Sequence, residues 1–228
     1  MPDAFIALES GRLVTGRARV PGQTNGELVF TTAYTGYEES LSDPSYAGQV
    51  LTFAYPLIGN YGVRSERFES DRVQPEAVLA RELTDDVADW LAEAGVPAVD
   101  TLDTRDLVLD IRDQGAMRCG VAVGPEASAA SAREQLESCP QMSEQTDIGA
   151  RVSVEEPVHY PGTGPSIALV DCGAKGSILD SLRDRDAEVI VLPFDATPAT
   201  VAEQDPDLLF FSNGPGDPEH FTAAERLV

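Results

Sequence analysis

Three short apolar runs in the last third of the chain constrain the fold most strongly. The runs Ser166–Gly173, Ala187–Phe194 and Asp207–Gly214 are each long enough for one buried strand, and they alternate with the helix-like stretches Ala174–Asp186 and Thr197–Gln204. Continuous apolar runs are typical of parallel strands that are covered on both faces. The pattern therefore predicts a βαβαβ unit, one half of a doubly wound sheet, with a ligand crevice at the carboxyl ends of its strands.

The third run breaks into a rigid loop, SNGPGDP, at one of these carboxyl ends. Gly214 and Gly216 lack a Cβ, so they can adopt φ > 0 and let a ligand approach the backbone, whereas Pro215 and Pro218 fix φ at their own positions. Backbone N–H groups held in this way suit an oxygen that is anionic or becomes so during a reaction. Taken alone, the loop is more typical of a plain rigid turn, so its context must decide.

The chain divides once. Residues 1–150 mix turn residues, short strand-like runs and a few helices, and they form the predicted N-terminal domain. Residues 151–165 contain three prolines and two glycines and are predicted to be a linker. Residues 166–228 then begin the second domain.

Local signals in the N-terminal domain predict particular elements. The stretch Phe5–Val20 has the pattern of a β-hairpin that turns at Ser10-Gly11. Two helices are predicted near Asp85–Ala94 and Arg105–Asp113, and glycines, Gly95 and Gly115, follow them. We expect two α/β domains in sequence.

The charge is strongly acidic. Among 228 residues, 39 are Asp or Glu and 16 are Lys or Arg, giving a net charge of −23, which argues against nucleic acid and anionic membranes as partners. Fifteen of the basic residues are arginine, and Lys175 is the only lysine. An acidic, lysine-poor surface suits solubility in concentrated salt, so we hypothesise a halophilic source; an ordinary acidic enzyme from a GC-rich genome is the alternative.

The remaining composition indicates a cytoplasmic protein without a metal site. No stretch approaches the roughly 20 apolar residues that cross a bilayer, and the N-terminus lacks the features of a signal peptide. Cys119, Cys139 and Cys172 stand in unrelated contexts without a C-x-x-C spacing, so we expect free thiols and neither disulfides nor a zinc site.

The N-terminal half resembles the small subunit of carbamoyl-phosphate synthetase. The run from Gly26 to Val63 contains TGYEE, LSDPSYAGQ and YPLIGNYGV, which are long and unusual motifs of that family. DTRDLVLDIRDQGAM, VDCGAKGSIL and FFSNGPGDP are similar to later family segments, so the resemblance runs from about Phe5 to Pro218. It implies an α/β protein whose mixed N-terminal domain is followed by a truncated, doubly wound class I glutamine amidotransferase domain.

The resemblance also implies a function. The family's small subunit hydrolyses L-glutamine through a Cys-His-Glu triad. It passes the ammonia to a large subunit that uses ATP and metal ions to make carbamoyl phosphate for arginine and pyrimidine biosynthesis. We therefore expect a heterodimer with that large subunit, or higher oligomers of that heterodimer, and no cofactor in this chain itself.

The catalytic residues of the family have no counterpart in this sequence. The family's nucleophile sits on a G-x-C-x-G elbow, and none of the three cysteines has that setting. Cys172 ends a predicted strand but precedes Gly173 in an entry turn, so we interpret it as structural. His159, in the predicted linker, and His220, after the loop, do not match the late catalytic histidine. We expect the chain to be an N-terminal portion of a longer protein, ending within a predicted helix at 220–228.

The residues that the resemblance does carry over bind glutamine. Gly214 and Gly216 match the family's glutamine-binding loop, in which Gly214 contributes to the oxyanion hole. Ser45 matches an N-terminal serine that reaches glutamine from the other domain, although its local sequence suits a turn hydroxyl that bonds its own backbone. Lys175 receives no role.

Two alternatives remain open. The chain could be a non-catalytic module that docks on a synthetase large subunit, since it lacks the nucleophile elbow. It could also belong to another class I amidotransferase, such as an anthranilate or GMP synthase component, but that reading leaves the first 150 residues unexplained.

Overall fold

The computed structural model describes residues 3–221 and 226–227. The chain divides into two compact units: a first unit of Met1–Ser42 and Gly48–Met142, and a second unit of Ser143–Val228 that also includes the short segment Asp43–Ala47. This segment lies within the predicted N-terminal domain but makes its contacts in the second unit.

The first unit is built around a closed barrel. Its strands are β1 (Ala4–Leu8), β2 (Leu13–Val20), β3 (Gly22–Thr31), β4 (Gln49–Phe53), β5 (Leu57–Ile58), β6 (Ala77–Leu79), β7 (Glu82–Leu83), β8 (Ala98–Asp100) and β9 (Met117–Val123). The barrel order is β1-β2-β8-β6-β4-β3-β9, and β5 and β7 pair separately. The pairs β3–β4, β4–β6 and β6–β8 are parallel, whereas the pairs β1–β2, β1–β9, β2–β8 and β3–β9 are antiparallel.

Four helices complete the first unit: α1 (Tyr37–Ser42), α2 (Asp85–Glu93), α3 (Thr104–Gln114) and α4 (Ala129–Ser138). The predicted hairpin is confirmed, with β1 and β2 antiparallel and Gly11 at φ 86° in the turn. Both predicted helices are confirmed as α2 and α3. Gly95 (φ 71°) follows α2 and Gly115 (φ 89°) caps α3, conformations that glycine adopts without strain.

The core of the barrel consists of side chains that alternate along its strands. On β9, Met117, Cys119, Val121 and Val123 all belong to the buried interior cluster. Helix α4 covers the opposite face of β9 so closely that a Cβ on Gly120 would lie 2.2 Å from the carbonyl oxygen of Ala132. A glycine is therefore required where this helix crosses the strand.

The second unit contains the predicted βαβαβ arrangement. Its elements are α5 (Ile148–Val152), β10 (Val158–Tyr160), β11 (Ser166–Asp171), α6 (Gly176–Arg183), β12 (Glu188–Pro193), α7 (Pro198–Ala202) and β13 (Leu208–Phe211). Strand β11 pairs parallel with both β12 and β13, which confirms the half of a doubly wound sheet. The longest helix in the described part of the chain, α3, has 11 residues, and no described helix is long and apolar enough to cross a membrane.

Residues 151–165 are more ordered than a linker. They include the end of α5 and strand β10, which pairs antiparallel with β12 from Val158↔Val191 to Tyr160↔Val189. Prolines and glycines lie on both sides of this three-residue strand, so the sequence pattern resembles a linker and does not predict the strand. This part of the sequence-based division is corrected: the stretch adds an edge strand to the sheet.

The strand order locates a crevice. In the order β10-β12-β11-β13, the chain moves from β11 to β12 on one side and then returns across β11 to β13 on the other. The crossovers from β11 to β12 and from β12 to β13 therefore run in opposite directions, a topology that favours a ligand crevice at the carboxyl ends of β11 and β13. The SNGPGDP loop follows β13 at this point.

Candidate functional site

The SNGPGDP loop packs directly on the end of β11. A Cβ on Gly214 would lie 2.1 Å from the carbonyl oxygen of Cys172, far inside van der Waals contact, so any larger residue would displace the loop. Of the two glycines expected to use φ > 0, only Gly216 does, at 74°. Gly214 is thus required for a close approach of two backbones rather than for a left-handed conformation.

Ser212 joins the two strand ends. Its N–H donates to the carbonyl oxygen of Val170 at 3.1 Å, which extends the pairing of β11 with β13 by one residue. Its hydroxyl accepts a hydrogen bond from the N–H of Cys172 at 2.9 Å and donates to the carbonyl oxygen of Asn213 at 2.7 Å. The hydroxyl is therefore used both as acceptor and as donor.

A buried carboxylate shapes the turn after β11. Asp171 is only 5% exposed, and its Oδ1 accepts from the N–H groups of Gly173 at 3.0 Å and Ala174 at 2.7 Å. Its Oδ2 accepts from the N–H of Val154 at 2.8 Å. Sequence reasoning missed this role, although an aspartate that ends an apolar strand two residues before a glycine is a recognisable signal of such a turn.

The structure brings Ser45 to the same loop. Ser45 lies in a 3₁₀ turn, Pro44–Tyr46, and its hydroxyl accepts a hydrogen bond from Nδ2 of Asn213 at 3.0 Å. The local turn predicted by Asp43-Pro44 exists, but Oδ1 of Asp43 caps it by accepting from the N–H of Ser45 at 2.9 Å. The serine hydroxyl is thus directed at the loop and does not bond its own backbone as the local sequence suggests.

The only lysine anchors this segment. The Nζ of Lys175 lies 2.6 Å from Oδ2 of Asp43, whose side chain is 9% exposed. Lys175 immediately precedes α6, so the ion pair connects the Asp43–Ala47 segment to the helix that follows β11. Sequence reasoning assigned Lys175 no role, and the structure gives it this one.

A cavity of about 590 Å³ opens beside the loop. Its mostly apolar lining includes Cys172, Phe211, Ser212, Asn213, Gly214 and Gly216. On Asn213, Oδ1 is buried and has no hydrogen-bond partner among the described residues. The cavity thus combines an apolar wall with backbone groups of the loop, a combination typical of a small-molecule site.

None of the three cysteines has the environment of a nucleophile. All are unpaired and buried. Burial raises the pKa of Cys172 to about 11, and the negative charge of Asp171 adds to the shift. Burial also raises the pKa of Cys119 and of Cys139, so all three favour the unreactive thiol.

The histidines do not complete a catalytic group. His159 lies on β10, where its Nε2 is 2.8 Å from Oε1 of Glu188 at an exposed position. The side chain of His220 and most of the helix predicted at 220–228 lie outside the described residues. Within the residues that the structure describes, no cluster of three or more His, Cys, Asp or Glu side chains could hold a metal ion.

The fold and the site define a class of protein. The doubly wound sheet with a glycine-containing loop after β13 is what the resemblance to a class I glutamine amidotransferase domain led us to expect, and the family model "Glutamine amidotransferase class-I" matches residues 168–228. The family model "Carbamoyl-phosphate synthase small chain, CPSase domain" matches residues 6–121. The chain belongs to the carbamoyl-phosphate synthase small-chain family.

Named carbamoyl phosphate synthase small chains are similar in sequence to this chain over all or nearly all of its length. The carbamoyl phosphate synthase small chain of Halobacterium salinarum is 67% identical over 228 residues, which cover 100% of this chain and 65% of the relative. That of Methanosarcina mazei is 38% identical over 99% of this chain and 66% of the relative. The chain thus spans about two thirds of the length of these relatives. The solved aconitase X of Thermococcus kodakaraensis aligns with 49% of the chain at 19% identity and a TM-score of 0.34, too low to establish a shared fold.

Proposed function

We propose that this chain is the glutamine-binding part of a carbamoyl-phosphate synthetase small subunit. In this proposal the small subunit hydrolyses L-glutamine and supplies ammonia to a large subunit, which uses ATP and metal ions to make carbamoyl phosphate for arginine and pyrimidine biosynthesis. The complex is a cytoplasmic heterodimer, and its acidic surface adapts it to concentrated salt. Family membership over both halves of the chain supports the proposal.

The contact between Ser45 and the loop that carries Gly214 supports the proposal within this structure. Ser45 comes from a segment far away in sequence, yet its hydroxyl contacts Asn213, the residue before Gly214. A substrate at this place would meet a hydroxyl on one side and loop N–H groups on the other. In the proposal these groups hold the glutamine carboxamide.

The chemistry assigned to these residues is binding and oxyanion stabilisation. A thiol gives its proton to a general base and attacks the carboxamide carbon as a thiolate, and the carbonyl oxygen becomes an oxyanion. The protonated base gives the proton to the amide nitrogen, which leaves as ammonia, and water hydrolyses the thioester to glutamate and the free thiol. The N–H of Gly214 faces the oxyanion, while Ser45 and Gly216 position the substrate. The buried thiols of Cys119, Cys139 and Cys172 are not assigned the nucleophilic step.

A comparison of two nitrogen sources tests this function. In the full-length protein assembled with its large subunit, Gly214→Ala should lower the kcat of glutamine-dependent synthesis by up to the 10²–10³-fold typical of losing one oxyanion-hole donor. Synthesis from free ammonia should remain, because ammonia bypasses the glutamine site. Steady-state rates with glutamine and with ammonium chloride measure both quantities.

Gly162→Ala is a matched control in the same unit. A Cβ there would lie 2.3 Å from the carbonyl oxygen of Ala187, a conflict comparable to that at Gly214. It should lower the melting temperature without a selective loss of glutamine use. A wild-type protein that uses ammonia but never glutamine would instead favour a non-catalytic docking module.

A further inference from the structure

The peptide bond between Asn213 and Gly214 has a defined orientation in this structure. The hydroxyl of Ser212 donates to the carbonyl oxygen of Asn213 at 2.7 Å. In a trans peptide the C=O and the following N–H point to opposite sides, and the described backbone has no cis peptide bonds. The hydrogen bond that holds the Asn213 oxygen therefore directs the Gly214 N–H away from Ser212.

That N–H is available to a ligand. Among the described residues the N–H of Gly214 donates no hydrogen bond, and Gly214 lines the 590 Å³ cavity. We propose that Ser212 is a positioning residue, whose hydroxyl locks the Asn213–Gly214 peptide so that the Gly214 N–H faces the developing oxyanion. This inference rests on the proposed function and assigns Ser212 a role that it performs through the orientation of the loop peptide.

The loop needs such a lock because its next residue is glycine. A rotation of the Asn213–Gly214 peptide plane changes ψ of Asn213 and φ of Gly214 together. Glycine adopts both signs of φ at little cost, so its own backbone does not prevent the rotation. A flipped peptide would place a carbonyl oxygen where the oxyanion must form.

The direction of the Ser212 hydroxyl is itself fixed. Its oxygen accepts from the N–H of Cys172 at 2.9 Å, so its proton is free to be donated to Asn213. Through this pair of bonds, the end of β11 sets the orientation of the loop after β13. An alanine at 212 would remove both bonds and leave the peptide unrestrained.

Ser153 provides a matched control. Its hydroxyl accepts from the N–H of Phe194 at 2.9 Å and donates to the carbonyl oxygen of Val154 at 3.2 Å, the same pattern at another strand end. Ser153→Ala thus removes an equivalent pair of hydrogen bonds but leaves the Asn213–Gly214 peptide untouched. This variant therefore measures how much the loss of two such hydrogen bonds lowers activity through stability alone.

The test compares three variants of the full-length protein assembled with its large subunit. Ser212→Ala should lower kcat for glutamine at least tenfold with little change in KM, since the lost interaction operates in the transition state. Ser153→Ala should keep the wild-type kcat, and Ser212→Thr, which retains a hydroxyl, should restore most of the activity. Ammonia-dependent synthesis should be equal in all three.

The outcomes separate this inference from the proposed function. A wild-type complex that makes no carbamoyl phosphate from glutamine overturns the proposed function. If the wild type is active, a kcat for Ser212→Ala equal to that for Ser153→Ala overturns the role of Ser212. A Ser212→Ala protein that is unfolded at the assay temperature, by circular dichroism, overturns it too, because Ser212 would then be a folding residue.

Discussion

Cys172 lies where a catalytic thiol could lie, but its surroundings keep the thiol protonated and unreactive. It follows β11 at the crevice, but it is buried, and its pKa is raised from 9.0 to about 11. The raised value means that the folded state binds the thiol proton more strongly than the unfolded state does. The corresponding stability is present below about pH 9 and is lost as the pH rises through 11.

We predict slow alkylation of Cys172. At pH 8 a thiol of pKa about 11 has roughly a hundredfold less thiolate than one of pKa 9, so iodoacetamide should modify it correspondingly slowly. Peptide mass spectrometry over time, at pH 8 and at pH 10, measures the rate at each cysteine. The urea-unfolded protein is the control, in which all three cysteines should react readily. Rapid modification of native Cys172 at pH 8 would contradict the structure.

The sequence identified Gly214 as important but did not show why a glycine is required at this position. A glycine in N-G-P-G suggests a special φ, whereas the actual requirement is the carbonyl oxygen of Cys172, 2.1 Å from the missing Cβ. That oxygen lies 42 residues earlier in the sequence, in the turn that follows β11, so no local pattern could reveal it. Ser212 was overlooked for the same reason, because its partner is the N–H of Cys172.

At the scale of elements, the segment Asp43–Ala47 is a long-range connection to the site. It is held by the Lys175–Asp43 ion pair and by the hydrogen bond between Ser45 and Asn213. The sequence could place Ser45 near glutamine only through family resemblance, because the local signal predicts no more than a turn. Apart from the rarity of lysine in this chain, nothing in the sequence predicts that Lys175 pairs with Asp43.

We predict that Ser45→Ala and Lys175→Met both raise the KM for glutamine. Loss of the Ser45 hydroxyl removes a contact made in ground and transition states alike, so KM for glutamine should rise roughly 2- to 10-fold with kcat near wild type, for a bond worth about 0.5–1.5 kcal/mol. Lys175→Met should also raise KM, because the segment carrying Ser45 loses its anchor. Steady-state kinetics of the full-length complex measure both.

Lys175→Arg is the control for this pair, since it keeps a positive charge near Asp43. The KM of Lys175→Arg for glutamine should lie between the KM of the wild type and that of Lys175→Met. An unchanged KM in Ser45→Ala would mean that Ser45 only supports the loop. An unchanged KM in Lys175→Met would mean that the segment stays in place without the ion pair.

At the scale of the whole molecule, the two units differ in how far the sequence predicts them. The second unit follows from the periodic alternation of strands and helices, because its parallel strands are joined by standard crossovers. The barrel of the first unit does not, since β6 and β8 have only three residues each and pair with strands distant in the chain. Such short strands are defined by their neighbours and not by their own composition.

The net charge is also a property of the whole molecule. With 39 acidic and 16 basic residues, acidic groups remain in excess after every ion pair has formed. Pairs such as Arg17–Asp100 and Arg118–Glu9 are stabilising locally, and the Arg118 hydrogen bond lowers the pKa of Glu9. The unpaired carboxylates repel one another, which favours the expanded, unfolded chain.

Salt should therefore stabilise this protein. At 1 M the Debye length is about 3 Å, so repulsion between surface carboxylates is largely screened, while the largely buried Arg19–Asp100 pair is screened less. We predict that the melting temperature rises by on the order of 10 °C between 0.05 and 2 M KCl, as expected for a gain of about 3–5 kcal/mol in a protein of this size.

Calorimetry or circular dichroism over a KCl series measures this rise, with sucrose at matched osmolality as the control for effects of solute exclusion. Screening predicts that most of the increase occurs below about 1 M, where the Debye length changes most, whereas solute exclusion predicts a steady rise with concentration in both series. A melting temperature that is flat or falls with KCl would mean that the −23 charge does not limit stability, and the halophilic hypothesis would be wrong.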